Sequence, residues 1–284
     1  MIKNINDIPS LKANFNSSVT GQIESILNEP LSIKDHSEVL KLIFSLIDLT
    51  TLEGSDTLAK VEEMCKTVLD LEKRSDVPNV AAICVYPTFA KTVSIKLKNT
   101  TINTACVAGA FPSGQSSIAI KLQEVKWAID EGATEIDMVI SRGKLLEGKY
   151  QEVFDEIAAI KACCGSVHLK VIIESGELQN NQNIRIASDL AMYAGADFIK
   201  TSTGKISEGA TYNTMFIMLT AIKDYYTATG TKIGIKPAGG ISDIPTAINY
   251  LKLVESIVGN EWLTPRFCRF GASSLAKVVL NKLQ

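Results

Sequence analysis

Three lysines stand inside or at the end of apolar runs of this chain: Lys170 in HLKVI, Lys200 in ADFIKTSTGK (196–205) and Lys236 in KIGIKPAGG (232–240). Carboxylates interrupt similar runs at Asp48 in LIDLT and Asp137 in EIDMV, and Glu174 ends the run that holds Lys170. An ammonium ion removed from water costs several kcal/mol unless it is paired or gives up its proton. One reading is therefore bland: strand-end lysines that snorkel, or an ion-pair network that only braces the fold. The other reading is chemical. A neutral lysine amine adds to a carbonyl, loses water and leaves a protonated imine that draws electrons out of a neighbouring bond. Reaching a useful neutral fraction at pH 7 from an ordinary lysine takes a drop of roughly 3 pH units, or about 4 kcal/mol. A second ammonium at about 5 Å contributes roughly 3 kcal/mol at an effective dielectric near 20, and desolvation adds the remainder. Lys200 and Lys236 are read as that pair, with Asp137 as the proton-transfer group, directly or through water.

Such groups must be positioned by strands. Eight short β-branched runs qualify: 44–52, 80–87, 104–111, 134–140, 167–174, 196–202, 232–240 and 266–274. Each is followed by a stretch of helical period, and segments such as DEGA and YAGA place glycine where a helix would end and feed the next strand. Eight βα units in series predict an α/β fold, a single (β/α)8 TIM barrel over 41–284; a doubly wound open sheet is the second choice, and no GxGxxG follows any strand. Residues 1–40 are polar and read as an N-terminal helical arm. In a barrel, five strands (1, 4, 5, 6 and 7) would carry charges toward one mouth, which favours an active site over a brace. The loops KPAGGI, with Gly239 and Gly240, and RFGASS, with Gly271, Ser273 and Ser274, fall after strands 7 and 8, where barrels often bind a phosphate.

Composition removes other classes. A net charge of −2 over 284 residues gives no support for nucleic-acid or membrane-surface binding, and no apolar run is long enough to span a bilayer. The N-terminus lacks the apolar core of a secretory signal. Six cysteines without a CxxC spacing point to a reducing, cytoplasmic setting. With two histidines, His36 and His168, in no ligand spacing, a histidine-rich zinc site is not expected. Cys84 reads as core, His168 as lying at the barrel bottom, Trp127 and Trp262 as packing residues, and Glu174 as either orienting a lysine or capping its loop.

The segments LIDLTTL, EIDMVI, LKVIIESGEL, ADFIKTSTGK, KPAGGI and RFGASS, in that order, resemble class I deoxyribose-phosphate aldolases. The resemblance runs from about Phe44 to the helix after Ser274. It implies a barrel without metal or other cofactor that reversibly cleaves 2-deoxy-D-ribose 5-phosphate into glyceraldehyde 3-phosphate and acetaldehyde. It implies Lys200 as the Schiff-base lysine, Lys236 as the lysine that perturbs it and relays protons, and Asp137 as acid and base. Gly204, Lys205, Gly239, Gly240, Ser273 and Ser274 correspond to phosphate-contacting positions, and Asp48 and Lys170 to supporting positions in the site. A homodimer is expected on the same ground. The arm of about 40 residues, and an end at NKLQ without a tyrosine-ended tail, depart from compact relatives. Alternatives are another Schiff-base phosphosugar aldolase of transaldolase type, or an inactive barrel that binds a phosphosugar.

Overall fold

The computed structural model describes residues 5–15 and 17–283. The first four residues of the predicted arm, Asn16 and Gln284 lie outside the described residues. Eight parallel strands follow one another: β1 (Ile47–Thr50), β2 (Ala82–Val85), β3 (Asn103–Ala108), β4 (Glu135–Val139), β5 (His168–Ile172), β6 (Phe198–Lys200), β7 (Gly234–Lys236) and β8 (Phe270–Ala272). Their order is β7-β6-β5-β4-β3-β2-β1-β8, and the parallel bridges Ile235–Cys268 and Ala238–Gly271 join the two ends. The sheet is thus a (β/α)8 barrel. All eight expected strands are present, each shorter than its apolar run because the flanking residues turn into loops.

The helices are α1 (Thr20–Asn28), α2 (His36–Ser45), α3 (Leu58–Glu72), α4 (Ala90–Lys96), α5 (Ile118–Asp130), α6 (Arg142–Leu146), α7 (Tyr150–Cys164), α8 (Asn181–Tyr193), α9 (Tyr212–Thr229), α10 (Ile244–Ile257) and α11 (Ser274–Leu283). Side-chain caps start several of them: Thr57 accepts from Lys60 N, Ser117 from Ile120 N, Thr211 from Thr214 N and Asp243 from Thr246 N. Gly132 and Gly195, just past α5 and α8, adopt φ of +100° and +102°, values that glycine reaches without strain and that turn the chain into the next strand.

Two apolar regions result. The larger lies between the strands and the outer helices, with Ile83, Val85, Cys106, Ile136, Met138, Leu169, Val171, Ile199 and Ile235 all fully buried. The smaller lies inside the barrel and comes from Leu52 and from β2 and β3: Ala82, Cys84, Ala105 and Val107. Cys84 is core, as expected, and burial raises its thiol pKa. Phe198 fills the interior lower down, where a β-carbon on Gly234 would come within 2.2 Å of its ring.

The arm lies along the helical ring. Gln182 accepts from Phe15 N at 2.7 Å and donates to Ser10 O at 2.7 Å and Ala13 O at 3.0 Å, and the Phe15 ring sits 4.3 Å from the Arg185 guanidinium. Residue 40 falls within α2, which leads directly into β1. Trp262 is buried and donates to Ile233 O at 2.9 Å, but Trp127 is not a packing residue: 48% of its surface is exposed, because it sits on the outer face of α5. Among the described residues no helix is long and apolar enough to cross a membrane.

Candidate active site

The half of the barrel interior opposite β2 and β3 is ionic. Lys200 and Lys236 are register partners on adjacent strands, as are Asp137 and Lys170. Asp137 Oδ2 accepts from Lys200 Nζ at 2.8 Å and from Lys236 Nζ at 2.7 Å, while its Oδ1 accepts from Lys170 Nζ at 2.9 Å. Lys236 also reaches Asp48 Oδ2 at 2.5 Å, and Lys170 reaches Glu135 Oε2 at 2.5 Å. Arg269 closes the network, donating to Asp48 Oδ1 at 2.6 Å and to Glu135 Oε1 at 2.8 Å. All seven side chains are buried. Of the six charged residues expected to converge, Asp48, Asp137, Lys170, Lys200 and Lys236 meet in this network, and Glu174 does not.

Three carboxylates (Asp48, Glu135, Asp137) face four basic groups (Lys170, Lys200, Lys236, Arg269), so one proton is in excess if all are ionised. The geometry selects which base yields it. Lys170 lies within 4.0 Å of all three carboxylates and Lys236 of two, whereas Lys200 pairs with Asp137 alone. Burial lowers the Lys200 amine below the ordinary lysine value; Asp137 opposes this and Lys236 adds to it. For Lys236 burial acts the same way, but Asp137 and Asp48 outweigh it and its pKa rises. Lys170 is raised too, its burial outweighed by Asp137, Glu135 and Asp48. Burial opposes ionisation of Asp137, yet Lys170, Lys200 and Lys236 hold it well below the usual carboxylate range. The same balance, with Lys236, Arg269 and Lys170 as the cations, keeps Asp48 ionised. The expectation that the neighbouring ammonium does most of the lowering is corrected: desolvation is the larger cause at Lys200, and Lys236 comes after it.

Above the network, at the C-terminal ends of the strands, opens a cavity of about 250 Å³. Lys200 lines it, together with Gly204, Lys205, Gly239, Gly240, Ser273 and Ser274. Lys236, Asp137, Asp48 and Lys170 are not on its wall. The six residues expected around a phosphate therefore share one pocket with the candidate nucleophile, and α11 begins there at Ser274. Thr201 ties the ends of β6 and β7 together, donating to Ala238 O at 3.1 Å and accepting from Ala238 N at 3.0 Å. Gly271 leaves space for the Lys236 stem: a β-carbon there would lie 3.2 Å from Lys236 Cε and 2.8 Å from Ala238 Cβ.

Glu174 is neither at a strand end nor beside a lysine. It follows β5 with φ +52°, and its buried carboxylate accepts from Thr203 N at 3.1 Å and from the Thr203 hydroxyl. Thr203 Oγ1 in turn accepts from Lys205 N at 3.1 Å, so Glu174 shapes the loop that presents Gly204 and Lys205. Arg142 anchors Glu174 at 3.3 Å and also binds Pro112 O and Ser113 O. Backbone strain of this kind persists where the surroundings over-determine it, as at functional sites. His168 is exposed at the start of β5, with Nδ1 4.0 Å from Glu135 Oε1. Among the described residues, no group of three or more His, Cys, Asp or Glu is arranged to hold a metal ion.

A family model described as DeoC/LacD family aldolase matches residues 42–260. The chain belongs to this aldolase family. Deoxyribose-phosphate aldolases of mouse and human are each 42% identical to it over 242 residues, covering 81% of this chain and 76% of theirs. A solved structure described as QR15, an aldolase, is 28% identical with a TM-score of 0.69, covering 85% of this chain and 96% of its own. The deoxyribose phosphate aldolase of Aeropyrum pernix, described as tetrameric, shares the fold with a TM-score of 0.70 at 24% identity, covering 94% of this chain and 98% of its own. The aldolase is accordingly a carbon–carbon lyase.

Two members of the aldolase's ionic network were not singled out in the sequence, Glu135 and Arg269. Glu135 lies two residues before Asp137 and so on the same face of β4, a period-2 signal that was available in EIDMV. Arg269 directly precedes β8 and lies inside the 266–274 run, where it too is a charge within an expected strand.

Proposed function

We propose that the protein is a Schiff-base aldolase that cleaves 2-deoxy-D-ribose 5-phosphate reversibly into glyceraldehyde 3-phosphate and acetaldehyde. One observation carries the reading: of three buried lysines around Asp137, only Lys200 both has a lowered pKa and lines the cavity. In the proposed cycle its neutral amine attacks carbon 1 of the open-chain sugar phosphate and, with loss of water, forms a protonated imine. The bond between carbons 2 and 3 then breaks, its electron pair moving into the imine to give an enamine. The proton of the carbon 3 hydroxyl leaves toward Asp137, through water and the Lys236 relay. Protonation of carbon 2 and hydrolysis release acetaldehyde and restore Lys200. Asp48 and Lys170 support this by keeping Lys236 and Asp137 ionised.

At the other end of the substrate, Gly204, Lys205, Gly239, Gly240, Ser273 and Ser274 would receive the phosphate. Backbone N–H groups at the start of α11 favour an anion there. The names of the mouse and human relatives support this choice of substrate. A metal-independent reaction in a reducing cytoplasm, by a homodimer, belongs to the same reading; all six cysteines are free thiols, in keeping with that compartment.

The test is direct. The purified chain incubated with 2-deoxyribose 5-phosphate is expected to release equimolar acetaldehyde and glyceraldehyde 3-phosphate. Because the working form of Lys200 is the free amine, kcat/KM should climb with pH along an acid limb that levels off below the ordinary lysine value near 10.4. Absence of both products would remove this substrate, and a limb rising through 10.4 would remove the lowered lysine.

A further inference from the structure

The cavity that would take the phosphate already holds an anion of the protein's own. Glu53 Oε1 accepts from Lys205 Nζ at 2.9 Å, and both residues line the pocket. Glu53 is the one carboxylate on that wall among the described residues; the other polar groups there are amines, hydroxyls and backbone.

The pair has a specific place in the barrel. Glu53 belongs to the loop after β1, and Lys205 to the loop after β6. In the closed sheet β7 and β8 lie between those two strands, so the ion pair spans the very loops that carry Gly239, Gly240, Ser273 and Ser274. Glu53 is also held there. Its N–H donates to Asp56 Oδ2 at 2.9 Å and its carbonyl accepts from Asp56 N at 3.0 Å. Asp56 is fixed in turn by the Thr51 hydroxyl at 2.8 Å and by Lys60 at 2.5 Å. The backbone of Glu53 is thus preset, while 64% of its side chain is exposed and free to swing away.

We propose that Glu53 is a resident counter-anion of the phosphate site, which an incoming phosphate must displace from Lys205. Glu53 therefore sets the affinity for phosphorylated substrate and limits the preference for it over an unphosphorylated sugar. The inference rests on the functional reading above, since it takes Lys205 to be the phosphate partner. Its energetic basis is modest on each count, an exposed ion pair to break and a like charge left beside a dianion, and the two add.

Titration calorimetry with inorganic phosphate, on the wild-type chain and on Glu53→Gln, Lys205→Met and the double variant, tests it. Glu53→Gln is expected to tighten phosphate binding about three- to tenfold at low salt, with the gain shrinking as salt rises. In the Lys205→Met background the same substitution should bring a smaller gain, because one of the two contributions has gone. In kinetics, Glu53→Gln should raise the ratio of kcat/KM for 2-deoxyribose 5-phosphate over 2-deoxyribose by a similar factor. Unchanged or weaker phosphate binding by Glu53→Gln, with wild-type binding measurable, overturns the inference while leaving the functional reading standing. Failure of every form to bind phosphate overturns the inference together with the assignment of Lys205 to the phosphate, while product release from the sugar phosphate tests the rest of the functional reading separately. The Glu53 side chain is mostly exposed, so its replacement by glutamine leaves the core intact.

Discussion

Lys200→Met will lower kcat/KM for the sugar phosphate by at least about four orders of magnitude, equivalent to 5.5 kcal/mol of transition-state stabilisation. Removing a covalent nucleophile removes the electron sink and not merely a contact. No neighbour can replace it: Lys236 and Lys170 lie off the cavity wall, each raised in pKa by two or more carboxylates. The fold should tolerate the change. A lysine held below its usual pKa binds fewer protons when folded than when unfolded, so it costs stability at neutral pH, and that cost falls as pH rises toward the unfolded value. Lys200→Met removes that cost while Asp137 keeps Lys170 and Lys236. Its urea midpoint at pH 7 is expected to equal or exceed that of the wild type. A variant that keeps more than about one percent of activity contradicts the assignment.

Lys236→Met is expected to cost about two to three orders of magnitude at pH 7, for a different reason. With Lys200 neutral, the three carboxylates of the network balance Lys170, Lys236 and Arg269. Without Lys236 the count is one negative, and Lys200, left beside Asp137, takes up a proton to restore it. Losing the repulsion of Lys236, which helps to lower the Lys200 amine, raises that amine. The acid limb of the rate should therefore move to higher pH, and activity should partly return at alkaline pH. A merely structural lysine would lower the rate equally at every pH. This variant should also lose about 3 kcal/mol or more in urea unfolding, since Asp48 is left with fewer partners in a buried setting.

The sequence made the strands and the central residues legible for one physical reason. A charge inside an apolar run is costly, so Asp48, Asp137, Lys170, Lys200 and Lys236 stood out, and eight βα units placed them at one end of a barrel. The number of acids that each lysine meets was not legible, because it follows from the register of β1, β4 and β5 and from Arg269 reaching across from β8. That number makes Lys200 the amine with the weakest hold on its proton. Glu174 looked like a strand end because the apolar run continues through Ile173; only the left-handed turn of the backbone shows that it serves the loop of Lys205. Glu53 was invisible for a similar reason, since its partner lies 152 residues away across the mouth. Trp127 carried no mark in the sequence of the exposed face it occupies.

The central claim is that Lys200, unlike Lys170 and Lys236, bonds to the aldehyde. Incubating the protein with acetaldehyde, reducing it with borohydride and mapping its peptides by mass measures this directly. A single two-carbon adduct on Lys200, lost in Lys200→Met, is the predicted result; an adduct on Lys170 or Lys236, or full activity with no adduct anywhere, would contradict it.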